Sequence, residues 1–283
     1  MTSEQLAWLI RRHGIEMTHL SGGSHIASIL SVADIIAVLY SDVLRYDPQD
    51  PKMPERDRFI LSKGHAGAAI YAALAESGFF DPERLKTHYQ NGSILSGHVS
   101  HKGVPGVEFS TGSLGHGLPV AAGMAQAAKM DGKTHRVYAV LGDGECDEGS
   151  VWEAALFANH FGLNNLVAIV DHNKMQSLDF CENTLKLEPF AEKWRSFGWN
   201  ALQIDGHDHN ALRAAFENAK HSEKPTVIIA DTVKGKGISF MEFDILWHYR
   251  FPHDGWEYDD ALKELHAVMP EGICDPYEKG GAQ

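Results

Sequence analysis

Two apolar runs in the middle of the chain each end at a small side chain that offers an oxygen ligand. The first run leads into Asp143, which lies inside a Gly-Asp-Gly sequence, and the second leads to Asn173, thirty residues later. A carboxylate and an amide oxygen are hard ligands, which suit Mg²⁺ or Ca²⁺ holding a phosphate group. The flanking Gly142 and Gly144 would let the backbone approach that phosphate closely.

The elements around these two residues are predicted to bring them together. Residues 136–141 and 165–170 are predicted strands, and residues 151–161 between them are a predicted helix. One βαβ unit fits this interval, so the two strands are expected to be neighbours in a parallel sheet. Because ligands of such sheets bind beyond the carboxyl ends of the strands, Asp143 and Asn173 are expected to converge on one site.

The rest of the chain repeats this alternation of helices and strands. Helices are predicted at 3–19 and 31–44, a short strand at "RFILS", a further helix at "AAIYAALAESG", and a third buried strand at 225–233. Strands without polar alternation that alternate with helices indicate a sheet covered on both faces. The predicted fold is α/β and doubly wound, with a mostly parallel sheet and helices on both faces, in a single domain of residues 1–283.

Three predicted helices carry capping signals at their first residues. Ser31 is a predicted cap of the second helix. Ser150 followed by Glu153 matches a capping box for the helix between the two central strands. Asp81-Pro82 predicts the start of another short helix.

The overall charge argues against two classes of partner. The chain has a net charge of −13, so a nucleic acid or an anionic membrane surface would repel it. The N-terminal residues lack the apolar core of a signal peptide, and no apolar run approaches about 18 residues, so no transmembrane span is expected. Cys146, Cys181 and Cys274 lack metal-ligand spacing and are expected to be free thiols in a reducing cytoplasm.

Histidine is abundant, with 17 residues, and four histidines lie in distinctive short sequences. His25 lies in "SGGSHIAS", His65 in "LSKGHAG", His98 in "SGHVSHKG" and His248 in "WHYRFP". Histidine exchanges protons near neutral pH, the property that general acid–base catalysis uses.

These motifs together resemble those of a known family. Gly-Asp-Gly followed about thirty residues later by Asn resembles the thiamine diphosphate (ThDP) motif, and the four histidine sequences occur in the order found in transketolases. The resemblance runs from about residue 10 to residue 255. It implies that Asp143, Asn173 and the backbone carbonyl of Met175 bind Mg²⁺ (or Ca²⁺), and that the metal binds the diphosphate of ThDP.

The resemblance also implies roles for the residues around the cofactor. The residues implied in catalysis are His25, His65, His98, His248 and Glu148. The residues implied in cofactor binding are His65, Gly112, Leu114, Gly142, Asp143, Gly144, Glu148, Asn173 and His248. Glu148 corresponds to a glutamate that meets the family's catalytic glutamate across a subunit interface.

Several features depart from the family pattern. Ala27 and Ser28 stand where relatives often have small Gly-rich residues, and Ser113 and His116 stand where Pro and Gln are common.

Tyr249 and Arg250 follow His248 where Gly is usual. They add bulk and charge near the expected substrate channel, so the usual sugar-phosphate specificity does not follow from the resemblance. The segment after His98 is one residue longer than in full-length transketolases, which leaves His98 and His101 as alternatives for one position.

The chain matches the N-terminal, diphosphate-binding part of a full transketolase. The resemblance therefore implies the N-terminal subunit of a split transketolase. A C-terminal subunit with the pyrimidine-binding and C-terminal domains would complete it, and α₂β₂ is the expected assembly. The implied reaction transfers a two-carbon ketol unit from a ketose or ketose phosphate to an aldose.

Other functions stay open at this point. A specialised ketose transketolase or a 1-deoxyxylulose-phosphate synthase-like enzyme would carry similar motifs. The alpha subunit of a 2-oxo-acid dehydrogenase also carries only this domain type, although the histidine of "SKGHA" counts against it. A non-catalytic nucleotide- or metal-binding domain would require a Gly-x-Gly-x-x-Gly or P-loop sequence, and neither is present.

Overall fold

Five strands form one parallel sheet in the computed structural model, which describes residues 1–278. The strands are β1 (Arg58–Leu61), β2 (Val137–Gly142), β3 (Leu166–His172), β4 (Asn200–Asp205) and β5 (Thr226–Asp231). Their order across the sheet is β1-β2-β3-β5-β4, and each neighbouring pair is parallel. The prediction that the strands before Asp143 and Asn173 are neighbours is confirmed, because β2 pairs with β3.

Helices cover both faces of this sheet, which confirms the predicted doubly wound α/β class. The helices are α1 (Ser3–Ser21), α2 (Ile26–Val38), α3 (Gly67–Glu76), α4 (Gly117–Met130), α5 (Gly149–His160), α6 (Cys181–Thr184), α7 (Phe190–Ser196), α8 (His209–His221) and α9 (Trp256–Ala267). Tyr138 and Val140 of β2 pack in the core with α1, α2, α3 and α8, whereas Ala139 and Leu141 pack with α4, α5 and α7. Because both faces are covered, β2 and β3 are buried along their whole length.

One strand, β4, and three helices, α6, α7 and α9, were not predicted from the sequence. Strand β4 lies at the edge of the sheet, where Ala201 is buried but Gln203 is exposed, so the strand lacks a continuous apolar run. Helix α9 packs against α1, and the indole of Trp8 donates a 2.8 Å hydrogen bond to the carbonyl of Leu265.

Helix α2 continues into a wider π-helical turn, Leu39–Val43, and together they form a long apolar segment. The stretch Ile26–Val43 has a mean hydropathy of 1.8 over 18 residues, which by length and composition alone would cross a membrane. The expectation that no apolar run reaches this length is therefore wrong. However, 83% of the stretch is buried inside the protein, as is usual for a core helix. That burial supports the prediction of no membrane span.

The predicted cap at Ser31 is wrong. Helix α2 begins at Ile26, so Ser31 lies within the helix, where its hydroxyl donates a 2.7 Å hydrogen bond to the carboxylate of Asp171. The Ser31 hydroxyl therefore bonds to a buried carboxylate of β3 and does not cap the helix. The cap at Asp81 is confirmed, because its carboxylate caps the 3₁₀ turn Pro82–Thr87.

The capping box at Ser150 and Glu153 is also wrong. Helix α5 begins at Gly149, and its first residues have no side-chain cap. The hydroxyl of Ser150 instead donates a 2.8 Å hydrogen bond to the carbonyl of Gly115. This bond ties the loop before α4 to the start of α5, beside the carboxyl end of β2.

Candidate active site

A cavity of about 340 Å³ lies at the carboxyl ends of the central strands. The predicted site residues that line it are His25, His65, His98, Gly112, Leu114, Gly142, Asp143, Gly144, Asn173, Met175 and His248. The fold thus brings together residues from distant parts of the chain, as expected for ligands of a parallel sheet. Of the predicted site residues, Glu148 is not among those lining the cavity.

Asp143 offers this cavity a buried carboxylate that pairs with no basic side chain of residues 1–278. It accepts hydrogen bonds from the backbone N–H groups of Gly144, at 2.8 Å, and Lys174. Burial raises the pKa of Asp143, because the carboxylate is removed from water without a neighbouring cation to pair with it. A bound metal ion would supply the missing positive charge, so the residue fits the predicted metal site.

The turn after β3 places the other two predicted metal ligands next to Asp143. Lys174 has a left-handed backbone (φ 67°), and its N–H donates to the Asp143 carboxylate. The side-chain oxygen of Asn173 accepts a 3.2 Å hydrogen bond from the N–H of Met175. The set of a carboxylate, an amide oxygen and a backbone carbonyl contains only oxygen donors, which fits Mg²⁺ or Ca²⁺.

Lys234 is a site residue that no motif prediction identified, although it lies in the sequence "VKGKG". Its ammonium is buried and donates to the carbonyl of Met175, at 3.2 Å, and lies 2.9 Å from Nδ1 of His248. Burial and the nearby Lys63 lower the pKa of Lys234 to about 8. It pairs with no carboxylate among the described residues, so this wall of the cavity favours a bound anion such as a phosphate.

Lys63 and Asp171 form a buried ion pair behind the cavity, with side chains 1% and 0% exposed. The hydroxyls of Ser31 and Thr232 also donate to the Asp171 carboxylate. Burial alone would raise the pKa of Asp171, but the Lys63 ammonium and the two hydroxyls lower it. Because Lys63 follows β1 and Asp171 lies near the end of β3, the pair links the strand ends on either side of β2.

Glu145 is a second buried acid that was not predicted. Its carboxylate accepts hydrogen bonds from the N–H groups of Gly115, at 2.9 Å, and Gly142, at 3.1 Å, and from the hydroxyl of Ser62. Burial raises the pKa of Glu145. These bonds hold the loop before α4 against the ends of β1 and β2.

Four imidazoles that line the same cavity form a cluster. The ring centroid of His25 lies 5.1 Å from that of His65, 5.7 Å from His98 and 5.0 Å from His248. Burial lowers the pKa of all four, that of His25 to about 4 and that of His248 to about 3. The rings are therefore neutral at pH 7, and each offers one N–H donor and one acceptor nitrogen.

His25 adopts an unfavourable backbone conformation immediately before α2. Its φ of 74° is left-handed, which costs about 1–2 kcal/mol for a residue with a Cβ atom. Its Nδ1 is buried without a hydrogen-bond partner in residues 1–278. Strain and unsatisfied polar atoms of this kind cluster at functional sites.

The cavity contains His98 and not His101. The His98 ring lies against His25, and its backbone carbonyl accepts a 3.1 Å hydrogen bond from the hydroxyl of Tyr71. His101 is exposed, and its Nδ1 lies 2.6 Å from the hydroxyl of Ser110. Of the two alternatives that the sequence left open, the geometry favours His98.

Glu148 lies at the surface, immediately before α5. The first atoms of its side chain pack closely against Gly115, where an added Cβ atom would lie only 2.6 Å from the Cβ of Glu148. Gly115 also has a φ of 82°, so this close approach requires glycine. Glu148 itself is exposed.

Tyr249 and Arg250, which stand where the family usually has Gly, lie in different surroundings. Tyr249 lines the cavity, is 61% exposed, and has its ring centroid 4.5 Å from that of His248 and 5.4 Å from that of His25. Arg250 pairs with the carboxylate of Glu257. The added bulk therefore faces the cavity, whereas the added charge is neutralised outside it.

Comparison with known proteins agrees with this geometry. The family described as transketolase, thiamine diphosphate binding domain, matches residues 2–244. The chain belongs to the transketolase family. Its fold matches the solved transketolase of Campylobacter jejuni with a TM-score of 0.87 and 32% identity, over 93% of this chain and 42% of that one.

Shorter proteins of the transketolase family match this chain over most of their own length. A 6-deoxy-6-sulfo-D-fructose transketolase subunit of Clostridium sp. is 43% identical over 85% of this chain and 88% of that protein. An apulose-4-phosphate transketolase subunit of Actinobacillus succinogenes is 44% identical over 93% of this chain and 95% of that protein. Human transketolase is 43% identical, but only 38% of it is covered. These relatives favour transketolase over a 2-oxo-acid dehydrogenase component or a non-catalytic domain.

Proposed function

We propose that this chain is the N-terminal subunit of a split transketolase that holds the diphosphate of ThDP through Mg²⁺, or Ca²⁺ in its place. The observation that carries the proposal is the position of Asp143 at the end of β2, beside the turn after β3 that bears Asn173 and Met175. Their oxygen atoms line the same cavity as four neutral imidazoles. Metal ligands and proton-exchanging groups thus occupy one site.

Each part of the cavity has a distinct task in this proposal. Asp143, Asn173 and the carbonyl of Met175 hold the metal, and the buried Lys234 provides a further positive charge for the diphosphate. ThDP, when bound, supplies the carbanion chemistry that breaks and forms the carbon–carbon bond beside a ketone.

The imidazoles of His25, His65, His98 and His248 bind the hydroxyl groups of the substrate. A neutral imidazole accepts a hydrogen bond at one nitrogen and donates at the other, so it holds a hydroxyl in either sense. The same groups are suited to passing a proton to or from a sugar oxygen. Tyr249 forms part of the cavity wall beside them and limits the width of the sugar that enters.

A partner subunit completes the site in this proposal. The relatives named as transketolase subunits match this chain over 88% and 95% of their own length, which supports a split enzyme. The exposed Glu148 is proposed to meet the partner's catalytic glutamate, in an α₂β₂ assembly. The names of the same relatives favour a ketose with an anionic terminal group, a phosphate or a sulfonate, as the substrate class.

The first test is binding of Mg²⁺–ThDP by calorimetry. The chain co-expressed with a C-terminal transketolase subunit should bind one ThDP per pair of chains, and the chain alone should bind weakly or not at all. Asp143→Ala should abolish this binding in a folded complex. Glu153→Ala is the matched control, because this acid is exposed on α5 and does not line the cavity.

Activity is then measured with ketose phosphates, a sulfonated ketose and unmodified ketoses as donors. Faster turnover of the anionic ketoses would support the proposed substrate class. Retention of ThDP binding by a folded Asp143→Ala complex would contradict the proposed cofactor site.

A further inference from the structure

His248 is held on one side by a group that donates hydrogen bonds and does not accept them. The Nζ atom of Lys234 lies 2.9 Å from Nδ1 of His248 and 3.2 Å from the carbonyl oxygen of Met175. A lysine ammonium has three N–H donors and no acceptor. The ring nitrogen of His248 that faces it must therefore be the unprotonated one.

The state of the other ring nitrogen follows from this contact. A ring nitrogen that accepts a hydrogen bond carries no proton, so the His248 ring in this contact is neutral and has one proton. Because Nδ1 accepts from the ammonium, that proton lies on Nε2. Nε2 makes no hydrogen bond with any group of residues 1–278, and His248 lines the cavity.

We infer that Lys234 is a positioning residue that fixes the Nε2–H tautomer of His248, so that this histidine presents a hydrogen-bond donor to an oxygen atom of the bound ligand. His25 and His65 receive no comparable bond from a cation within the described part of the chain. The four imidazoles are thus not equivalent, and His248 is set to donate before any ligand arrives. The tautomer itself does not depend on the proposed function. Only the identity of the bound oxygen rests on it, which is either a diphosphate oxygen of ThDP or an oxygen of the ketose.

The tautomer can be measured directly, without cofactor or substrate. The ring nitrogens of the protein labelled with ¹⁵N-histidine are observed by long-range ¹H–¹⁵N NMR at pH 7, and the signals of His248 are identified by their loss in His248→Gln. The expected spectrum shows a protonated Nε2 and an unprotonated Nδ1. Lys234→Met keeps the length of the side chain but removes the donor, and it should shift His248 toward a mixture of tautomers.

Two further variants make the result specific. Lys234→Arg should keep the Nε2–H tautomer, because a guanidinium also donates and does not accept. Lys236→Met is the matched control, since Lys236 lies in the same loop and makes no hydrogen bond to His248. A protonated Nδ1 in the unsubstituted protein, or an unchanged tautomer in folded Lys234→Met, would overturn the inference.

Binding and kinetic measurements on the assembled enzyme show whether His248 donates to ThDP or to the ketose. If His248 donates to the diphosphate, His248→Gln should raise the Kd for ThDP about tenfold, which corresponds to one hydrogen bond of about 1.4 kcal/mol. If it donates to the ketose, the Kd for ThDP stays constant and the KM for the ketose rises by about the same factor. If neither constant changes, His248 donates to no ligand oxygen. Absence of ThDP binding by the unsubstituted complex would contradict the proposed function, but the tautomer measurement would remain valid.

Discussion

Replacing Lys63 with methionine should strongly destabilise the protein, because it leaves the carboxylate of Asp171 buried without a positive charge. The Asp171 side chain is 0% exposed, and after the substitution it would keep only the hydroxyl donors of Ser31 and Thr232. Removing one partner of a buried ion pair costs about 3–5 kcal/mol. The two remaining donors place the expected loss near the lower end, about 3 kcal/mol.

The same loss can be expressed as a shift of the melting temperature. At about 2–4 °C per kcal/mol for a chain of this size, Lys63→Met should lower Tm by about 6–12 °C. Adding Asp171→Asn removes the unpaired charge, so the double variant should be more stable than Lys63→Met alone. With the Asp171→Asn single variant also measured, the double-mutant cycle gives the coupling energy of the pair.

Urea unfolding followed by circular dichroism at pH 7 measures these free energies. Lys186→Met is the control, because Lys186 and its partner Glu182 are both largely exposed, and no measurable change is expected. The folded pKa of Asp171 lies below its ordinary value of 3.8, so the contribution of the pair is present above that pH and is lost as the pH falls through the folded pKa. A loss below about 1 kcal/mol in folded Lys63→Met would refute this account of the pair.

Three further predictions concern the cavity. The free energy of unfolding should fall as the pH drops from 6.5 to about 4, because His25 stays neutral in the folded protein and takes up a proton in the unfolded protein. Urea unfolding at several pH values measures this fall, which should be smaller in His25→Asn. Tyr249→Gly should widen the cavity and lower the KM for bulkier ketoses with an unchanged Kd for ThDP, and equal KM values across a series of ketoses would argue against a role in specificity. Glu148→Gln should lower kcat at least tenfold without unfolding the chain, which corresponds to a loss of about 1.4 kcal/mol in transition-state stabilisation. Unchanged turnover of the assembled complex would exclude the proposed interface role of Glu148.

The central part of the site could be predicted because it depends on local patterns and one topological rule. The apolar runs before Asp143 and Asn173 identified two buried strands, and the interval between them fitted one helix. Parallel strands joined by such a helix place their carboxyl ends at the same edge of the sheet, which brings the two oxygen ligands together.

The contacts that support the site could not be predicted in the same way. Ser31 and Asp171 are separated by 140 residues, and Ser62 and Glu145 by 83, so no local pattern records that they meet. The preference of serine for the N-cap position depends only on a few neighbouring residues. At Ser31 this local preference is overridden, because the hydroxyl donates to the buried carboxylate of Asp171 on a distant strand. The edge strand β4 was missed for a related reason, since its exposed positions tolerate polar residues and interrupt the apolar run that identifies a central strand.

The left-handed backbone at His25 has a practical consequence for engineering this protein. Glycine or asparagine would adopt the same backbone at a lower free-energy cost, so either replacement would raise thermal stability while removing an imidazole from the cavity. A library screened only for heat resistance would therefore enrich variants that have lost His25, and with it the role proposed for this imidazole in binding substrate. Thermostabilising campaigns on this scaffold should hold position 25 fixed and seek their gains on the surface of the outer helices.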